Sequence, residues 1–350
     1  MMAKKEKKKP ICIILDTNIW RQTLLLNSVA GSALLYGVDN CHANICLPKI
    51  IKMEIEKQIL KVVEDSKKNI ERAFGELKLI FGKHRPYELP LTEEVEETIQ
   101  KRFQELESLI NFKDHSKDNL DNALSRVVDK KPPNLNDKEQ YRDSLIWETA
   151  LEMGKKYEVH FVTEDKDFRE NDGLHPVLKD ECNSLGVTLI FHRNLSSCLE
   201  ALKSEVKKPN KKEMAKAIFK DLYNKLSKDA ARFNLSVDSV KQSKIKAYIT
   251  KKPQESFLSF EIVLNAIDVG GLLVEKKYEP FVVVRGSATY LSIEKKAIST
   301  NIDEIEFCWK DDLGQEVLRR SIHILAGTAY FGKQPDVVHM VRADLGKYYL

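Results

Sequence analysis

The stretch that decides the fold is Ile11-Cys12-Ile13-Ile14-Leu15, followed at once by Asp16-Thr17-Asn18. Five apolar residues, mostly β-branched or aliphatic, have the pattern of a strand buried on both faces. Such a strand belongs to a parallel sheet covered by helices, and the carboxyl ends of its strands form the edge where ligands bind. Asp16 stands at that edge, where a carboxylate is placed for a metal or a reacting group. Taken alone, it is equally the start of a turn or the cap of a helix beginning near Trp20. The choice depends on whether other carboxylates converge on the same edge.

Moving outward, residues 20–36 read as a helix with Leu24, Leu25, Ala30 and Leu34 among its apolar positions. Residues 37–44 are turn-rich, 44–47 form a second short strand, and Pro48 suits the first turn of a helix. In that helix Leu47, Ile50 and Ile51 precede Glu54 by seven, four and three positions, so Glu54 lies on an otherwise apolar stripe. An unpaired carboxylate there is costly to bury and calls for a cation or strong donors; a chance charge at the border of the stripe is the plainer reading. Residues 57–125 read as helical and highly charged, with stripes at Ile70, Phe74, Leu77, Phe81 and at Val95, Ile99, Phe103, Leu106, Ile110, broken by Pro86 and Pro90. They predict two long helices packed on each other, an insertion into a compact α/β core. Residues 113–136, with Pro132-Pro133, read as loop or short helix.

Asp137-Lys-Glu-Gln140 has a helix-capping pattern. The helix after it puts Asp143, Ile146, Trp147, Ala150 and Gly154 on one stripe, headed by a carboxylate, while Arg142, Glu148, Glu152 and Lys155 are expected to face solvent. Val159-His-Phe-Val162 is another buried strand. Thr163-Glu-Asp165-Lys-Asp167-Phe168 follows it as Asp16 follows the first, and residues 187–191 form a last strand. This order of elements predicts a parallel sheet with helices on both faces. Asp16 and Asp165 then share one edge, and Glu54 and Asp143 come from helices beside it. Clustered carboxylates raise each other's pKa unless a cation neutralises them. Oxygen donors without Cys or His suit Mg²⁺ or Mn²⁺.

A strand ending in Asp16-Thr-Asn18, a helix Glu54, Asp143 within Arg-Asp-Ser-Leu-Ile-Trp, and a strand leading into Thr163-Glu-Asp165-Lys-Asp-Phe168 resemble the PIN domain family of metal-dependent nucleases. The resemblance covers about residues 11–195. It implies a parallel sheet sandwiched by helices and hydrolysis of RNA, less often DNA, with one or two divalent ions. It also implies that Asp16, Glu54, Asp143 and Asp165 are the catalytic, metal-holding acids. Asp167 would be a further acid, and Asn18 and Thr163 polar groups behind the ligands. Other chemistries fit worse. An aspartyl-phosphate phosphatase needs a second Asp two residues after the first, where Asn18 cannot give up a proton. No GxxxxGK[ST] phosphate loop and no GxSxG elbow occurs.

Residues 202–212 read as an exposed basic linker and 213–233 as an amphipathic helix with Ala217, Ile218, Leu222, Leu226 and Ala230. Strands are expected at 244–249, 257–266, 281–293, 305–309 and 317–325, with a hairpin turn at Asp311-Asp-Leu-Gly314. The expected organisation is therefore a basic tail (1–10), a PIN-like α/β domain (11–201, insertion about 57–136), the linker, and a smaller α+β domain (213–350) without a catalytic constellation. Tyr290, Trp309, Tyr330 and Phe331 read as core ahead of base-stacking.

Composition agrees with this plan. The 350 residues suggest two domains, and 42% hydrophobic with 31% charged residues supports packed cores rather than disorder. No apolar run approaches a membrane span. The N-terminus lacks a signal-peptide core, and six cysteines without CxxC pairing fit a reducing compartment, so a cytoplasmic location is expected. Cys41-His42-Ala-Asn-Ile-Cys46 lacks a second ligand pair and is not read as a zinc site. A net charge of +4 is compatible with nucleic acid as partner without demanding it. The expected function is a phosphodiester-hydrolysing nuclease, RNA ahead of DNA. The long chain and unassigned second domain leave room for a toxin or defence effector, a regulatory protein partner or a homo-oligomer. The alternative is an inactive PIN-like protein that binds nucleic acid or a partner.

Overall fold

A computed structural model describes residues 9–82, 88–134, 138–171, 173–269, 279–310, 313–325 and 328–331. The chain divides into two compact units, Met1–Ser204 and Glu205–Leu350. Residues 1–8 of the basic tail, Pro86, Asp137 of the capping pattern, and Asp311 and Asp312 of the hairpin turn lie outside the described residues.

The first unit is built on β1 (Ile11–Leu15), α1 (Thr17–Gln22), α2 (Val29–Cys41), β2 (Asn44–Pro48), α3 (Lys49–Phe81), α4 (Thr92–Glu105), β3 (Ile110–Lys113), α5 (Lys117–Val128), α6 (Tyr141–Gly154) and β4 (Glu158–Val162). A 3₁₀ turn (Lys166–Phe168) and a small hairpin, β5 (Arg169–Glu170) and β6 (Gly173–Leu174), follow. α7 (Pro176–Ser184), β7 (Leu189–His192) and α8 (Leu195–Ala201) complete the unit. Five strands form a parallel sheet in the order β3-β2-β1-β4-β7. β1 lies at its centre, and Cys12 to Leu15 are fully buried, as a strand covered on both faces requires. The chain leaves β1 for β2 on one side and comes back in β4 on the other, so the carboxyl end of β1 is the switch point where a crevice opens.

Three local readings are corrected. Residues 20–36 are two helices, because Leu24, Leu25 and Leu26 all take left-handed backbone conformations, with φ of 48°, 56° and 61°. Such residues cost about 1–2 kcal/mol each. Burial of Leu25 and Leu26 offsets this, and Arg102 of α4 donates to the carbonyls of Leu25 (3.1 Å) and Leu26 (3.2 Å). Tertiary partners 76 and 77 residues away are invisible to local periodicity. The turn-rich stretch after Gly37 is instead the end of α2, which runs to Cys41 and stops on His42 in a left-handed cap. Residues 57–125 are not helical throughout: Ile110–Lys113 is the edge strand β3. Ile110 continues the apolar stripe of α4 into the core, which is why helical spacing covered it. The stripe from Val95 to Ile110 is buried, whereas Leu77 and Phe81 of the other stripe are exposed.

The second unit packs α9 (Lys211–Ala231) on a six-stranded antiparallel sheet in sequential order. Its strands are β8 (Leu235–Ile249), β9 (Glu255–Asp268), β10 (Glu279–Leu291), β11 (Lys296–Lys310), β12 (Glu316–Leu325) and β13 (Thr328–Phe331). This is an α+β architecture. Ile218, Leu222 and Leu226 of α9 share a core with Ile262, Val284 and Phe307 of the sheet. Tyr290 and Trp309 belong to that core. Among the described residues no helix is long and apolar enough to cross a membrane.

Candidate metal centre

The register Leu15↔Val162 sets the next residue of each strand side by side. Asp16 and Thr163 follow β1 and β4 directly, and the Asp16 amide donates to the Val162 carbonyl at 3.0 Å. Asp16 does cap α1, and it does more. One carboxylate oxygen accepts from the Thr17 amide (2.6 Å) and the other from the Thr163 hydroxyl (2.6 Å). The same Thr163 oxygen accepts from the Asp165 amide (3.0 Å), so one threonine ties the two acids at the sheet edge. Asp165 in turn caps the 3₁₀ turn by accepting from the Asp167 amide (2.9 Å). Asp167 accepts from Gln140.

Glu54 projects from the second turn of α3. Its Oε2 accepts from the Thr17 hydroxyl (2.7 Å), and its Oε1 accepts from Arg142. Arg142 therefore does not simply face solvent, as its position on α6 suggested: its side chain is exposed, yet its guanidinium neutralises Glu54. Glu148 and Glu152 depart from the solvent-face reading as well. Glu148 is buried and forms an ion pair with Arg126, which also holds Glu181, and Glu152 pairs with Lys113 at 2.6 Å. α6 is buried almost all round, so its one-sided stripe was a partial view. Asp143 heads that helix, half-buried beside the other acids.

Electrostatics shows the four acids together. Burial pushes the Asp16 carboxyl up from 3.8 to about 6, and the charges of Asp165 and Glu54 add to the rise. Asp143 rises to about 7, first through burial and then through Asp16, Asp165 and Glu54, against the opposing pull of Arg142. A folded protein has spent stability to bring these carboxylates to one edge. Among the described residues, Arg142 is the cation paired with one of the four acids, Glu54, while Lys138 lies 3.9 Å from Asp167. The donor set is all oxygen, and among the described residues Asp16, Asp143 and Asp165 form no ion pair; both features fit a hard divalent ion. Asn18 sits on α1 with a buried side-chain oxygen that has no hydrogen-bond partner among the described residues.

Thr17 and Arg142 were missed as site residues by sequence reasoning. Thr17 lies between the two residues that drew attention, but nothing in its spacing indicates a bond to Glu54, 37 residues on.

Residues 13–168 match the model of a family described as a PIN domain. The matched span runs from the middle of β1 to the 3₁₀ turn and holds all four acids. The N-terminal unit is thus PIN-like, with a nuclease-type fold. No curated protein and no solved structure matches the chain.

Proposed function

We propose that the N-terminal unit is a Mg²⁺- or Mn²⁺-dependent nuclease that hydrolyses phosphodiester bonds, in RNA ahead of DNA, with Asp16, Glu54, Asp143 and Asp165 as its acids. The observation that carries this is the gathering of the acids at the carboxyl edge of β1 and β4, where Asp16 and Asp143 are both raised, first by burial and then by the charges of neighbouring acids. When bound, a divalent ion eases loss of a proton from the attacking water and offsets charge on the phosphate.

The chain's own residues define the rest. Asp16 and Asp165 present fixed oxygens because Thr163 and the Thr17 and Asp167 amides hold them. Asp143 supplies a carboxylate free of such bonds among the described residues. Glu54 completes the site once Arg142 releases it, and Arg142 is then a cation placed for a phosphate oxygen. Asp167, Asn18 and Thr163 act behind the ligands.

The contrasting reading, a PIN-like domain that binds without cutting, is favoured by one observation: both oxygens of Glu54 are already engaged. Incubating the full chain with single- and double-stranded RNA and DNA in Mg²⁺ or Mn²⁺ separates the two. The nuclease reading expects metal-dependent cleavage of at least one substrate, lost with EDTA. Binding of nucleic acid without cleavage in either metal supports the other. A toxin or defence role and a cytoplasmic location extend the same proposal. A regulatory partner and self-association would be read by inhibition and by mass measurement.

A further inference from the structure

Three side chains outside the acidic cluster meet inside the first unit: His160 of β4, His192 at the end of β7, and Cys198 of α8. All are buried, and their ligand atoms lie within 4.8 Å of one another. The register His160↔Ile190, with a two-residue period, puts positions 160 and 192 on the same face of the sheet. Cys198 comes from the buried side of α8.

The hydrogen bonds around the two rings are the telling feature. His160 Nε2 faces the Glu158 carboxylate at 3.4 Å, and a carboxylate accepts. His160 Nδ1 and His192 Nε2 face each other at 2.9 Å across stacked rings, in a hydrogen bond whose donor is set by the tautomers. With the His160 proton on Nε2, toward Glu158, the Nδ1 lone pair is turned to the same space as His192 Nε2 and Cys198 Sγ. A metal ion there takes both imidazole lone pairs and the thiolate.

We propose that His160 Nδ1, His192 Nε2 and Cys198 Sγ form a buried structural site for a soft d¹⁰ cation, Zn²⁺ or Cu⁺. Two imidazoles and a thiolate suit these ions and not the hard ions of an all-oxygen site. Binding replaces the Cys198 S–H proton, which leaves to buffer, by an S–metal bond. Glu158 behind His160 reproduces the carboxylate–histidine–metal arrangement that fixes ring orientation. With Zn²⁺ the Cys198 and Glu158 charges balance the ion; with Cu⁺ the thiolate suffices. The ion would tie β4, β7 and α8 together just behind Thr163, whose amide donates to the His192 carbonyl at 3.1 Å. The proposal is independent of nuclease activity.

The test uses the full chain, stripped of metal and then loaded with Zn²⁺ alone, or in a separate arm with Cu⁺ under a reductant. X-ray absorption reads the ligand shell of the wild type with no variant needed. One tightly held ion per chain is expected, with one sulfur at about 2.3 Å and imidazole nitrogens at about 2.0–2.1 Å for Zn²⁺. The arm that retains one ion through gel filtration identifies the metal. Cys198→Ser and His192→Gln should each abolish tight uptake, whereas Asp16→Asn and Asp165→Asn should leave it intact. No retained ion in either arm overturns the proposal, as does a shell without sulfur. Two sulfurs also overturn it, since the proposed site offers one; the hydrogen-bonded free thiols of Cys12 and Cys46 are another pair that could supply them.

Discussion

Replacing Asp16 by Asn keeps the shape of the side chain and removes its charge, so it weighs electrostatic strain against hydrogen bonding. Burial raises the Asp16 carboxyl from 3.8 to about 6. At about 1.36 kcal/mol per unit, ionised Asp16 costs the metal-free fold about 3 kcal/mol above pH 7. The loss on substitution is smaller. The Thr17 amide and the Thr163 hydroxyl donate to different oxygens of Asp16, and an amide side chain offers one acceptor, so one hydrogen bond worth about 1 kcal/mol goes. Asp16→Asn should therefore stabilise the metal-free protein by about 2 kcal/mol at pH 8, or about 4–8 °C in melting temperature. The sign follows from linkage: the folded carboxyl binds its proton more tightly than the unfolded one. The penalty is then absent well below the ordinary value, grows as pH rises toward about 6, and is constant above. At pH 4 it has shrunk to about 0.5 kcal/mol and the lost hydrogen bond wins, so the variant should melt slightly below the wild type. Thermal unfolding of both proteins in EDTA from pH 4 to 8 reads the crossing. A variant less stable by the same amount at every pH would mean that Asp16 is a helix cap and nothing more.

Further outcomes follow from the same geometry. Asp165→Asn should cut the cleavage rate at least about a hundredfold, a barrier increase of roughly 3 kcal/mol, while leaving the fold intact; cleavage at the parental rate would misplace the site. Arg142→Gln should cost at most about 1 kcal/mol of stability, because the Arg142 side chain is exposed, and should tighten Mn²⁺ binding by freeing Glu54; weaker binding in a titration would contradict this. Mn²⁺ affinity should fall as pH drops below about 7, since protons compete for Asp143 and then Asp16, and a pH-independent affinity would refute it. Arg126→Met should destabilise by about 3–5 kcal/mol in denaturant unfolding, because it leaves the buried Glu148 unpaired.

The parts of the site set by strand pattern were legible in the sequence. An apolar run followed by an acid, met twice, is enough to put Asp16 and Asp165 on one edge, because parallel strands end on the same side. Helical spacing likewise carried Glu54 and Asp143 toward the core. What the sequence hid depends on tertiary partners. Arg142 and Glu148 look like solvent-face charges until Glu54 and Arg126 are brought to them from 88 and 22 residues away. The break between α1 and α2 rests on Arg102, and β3 borrows an apolar stripe that also fits a helix. His160 reads as an ordinary strand residue and His192 as the residue after the last strand, since only the pairing of β4 with β7 brings them together. In the second unit the period-2 pattern showed strands but not their full length: β8 begins at Leu235, nine residues before the expected start at Lys244.

The central claim is that the carboxyl edge of β1 and β4 holds a divalent ion. The most direct measurement is Mn²⁺ binding to the full chain, followed by electron paramagnetic resonance, with Cys198→Ser as background so that the thiol site takes no part. One or two Mn²⁺ per chain are expected at pH 8, and none in the Asp16→Asn/Asp165→Asn double variant of the same folded protein. No binding at millimolar Mn²⁺, or equal binding by the double variant, would contradict it.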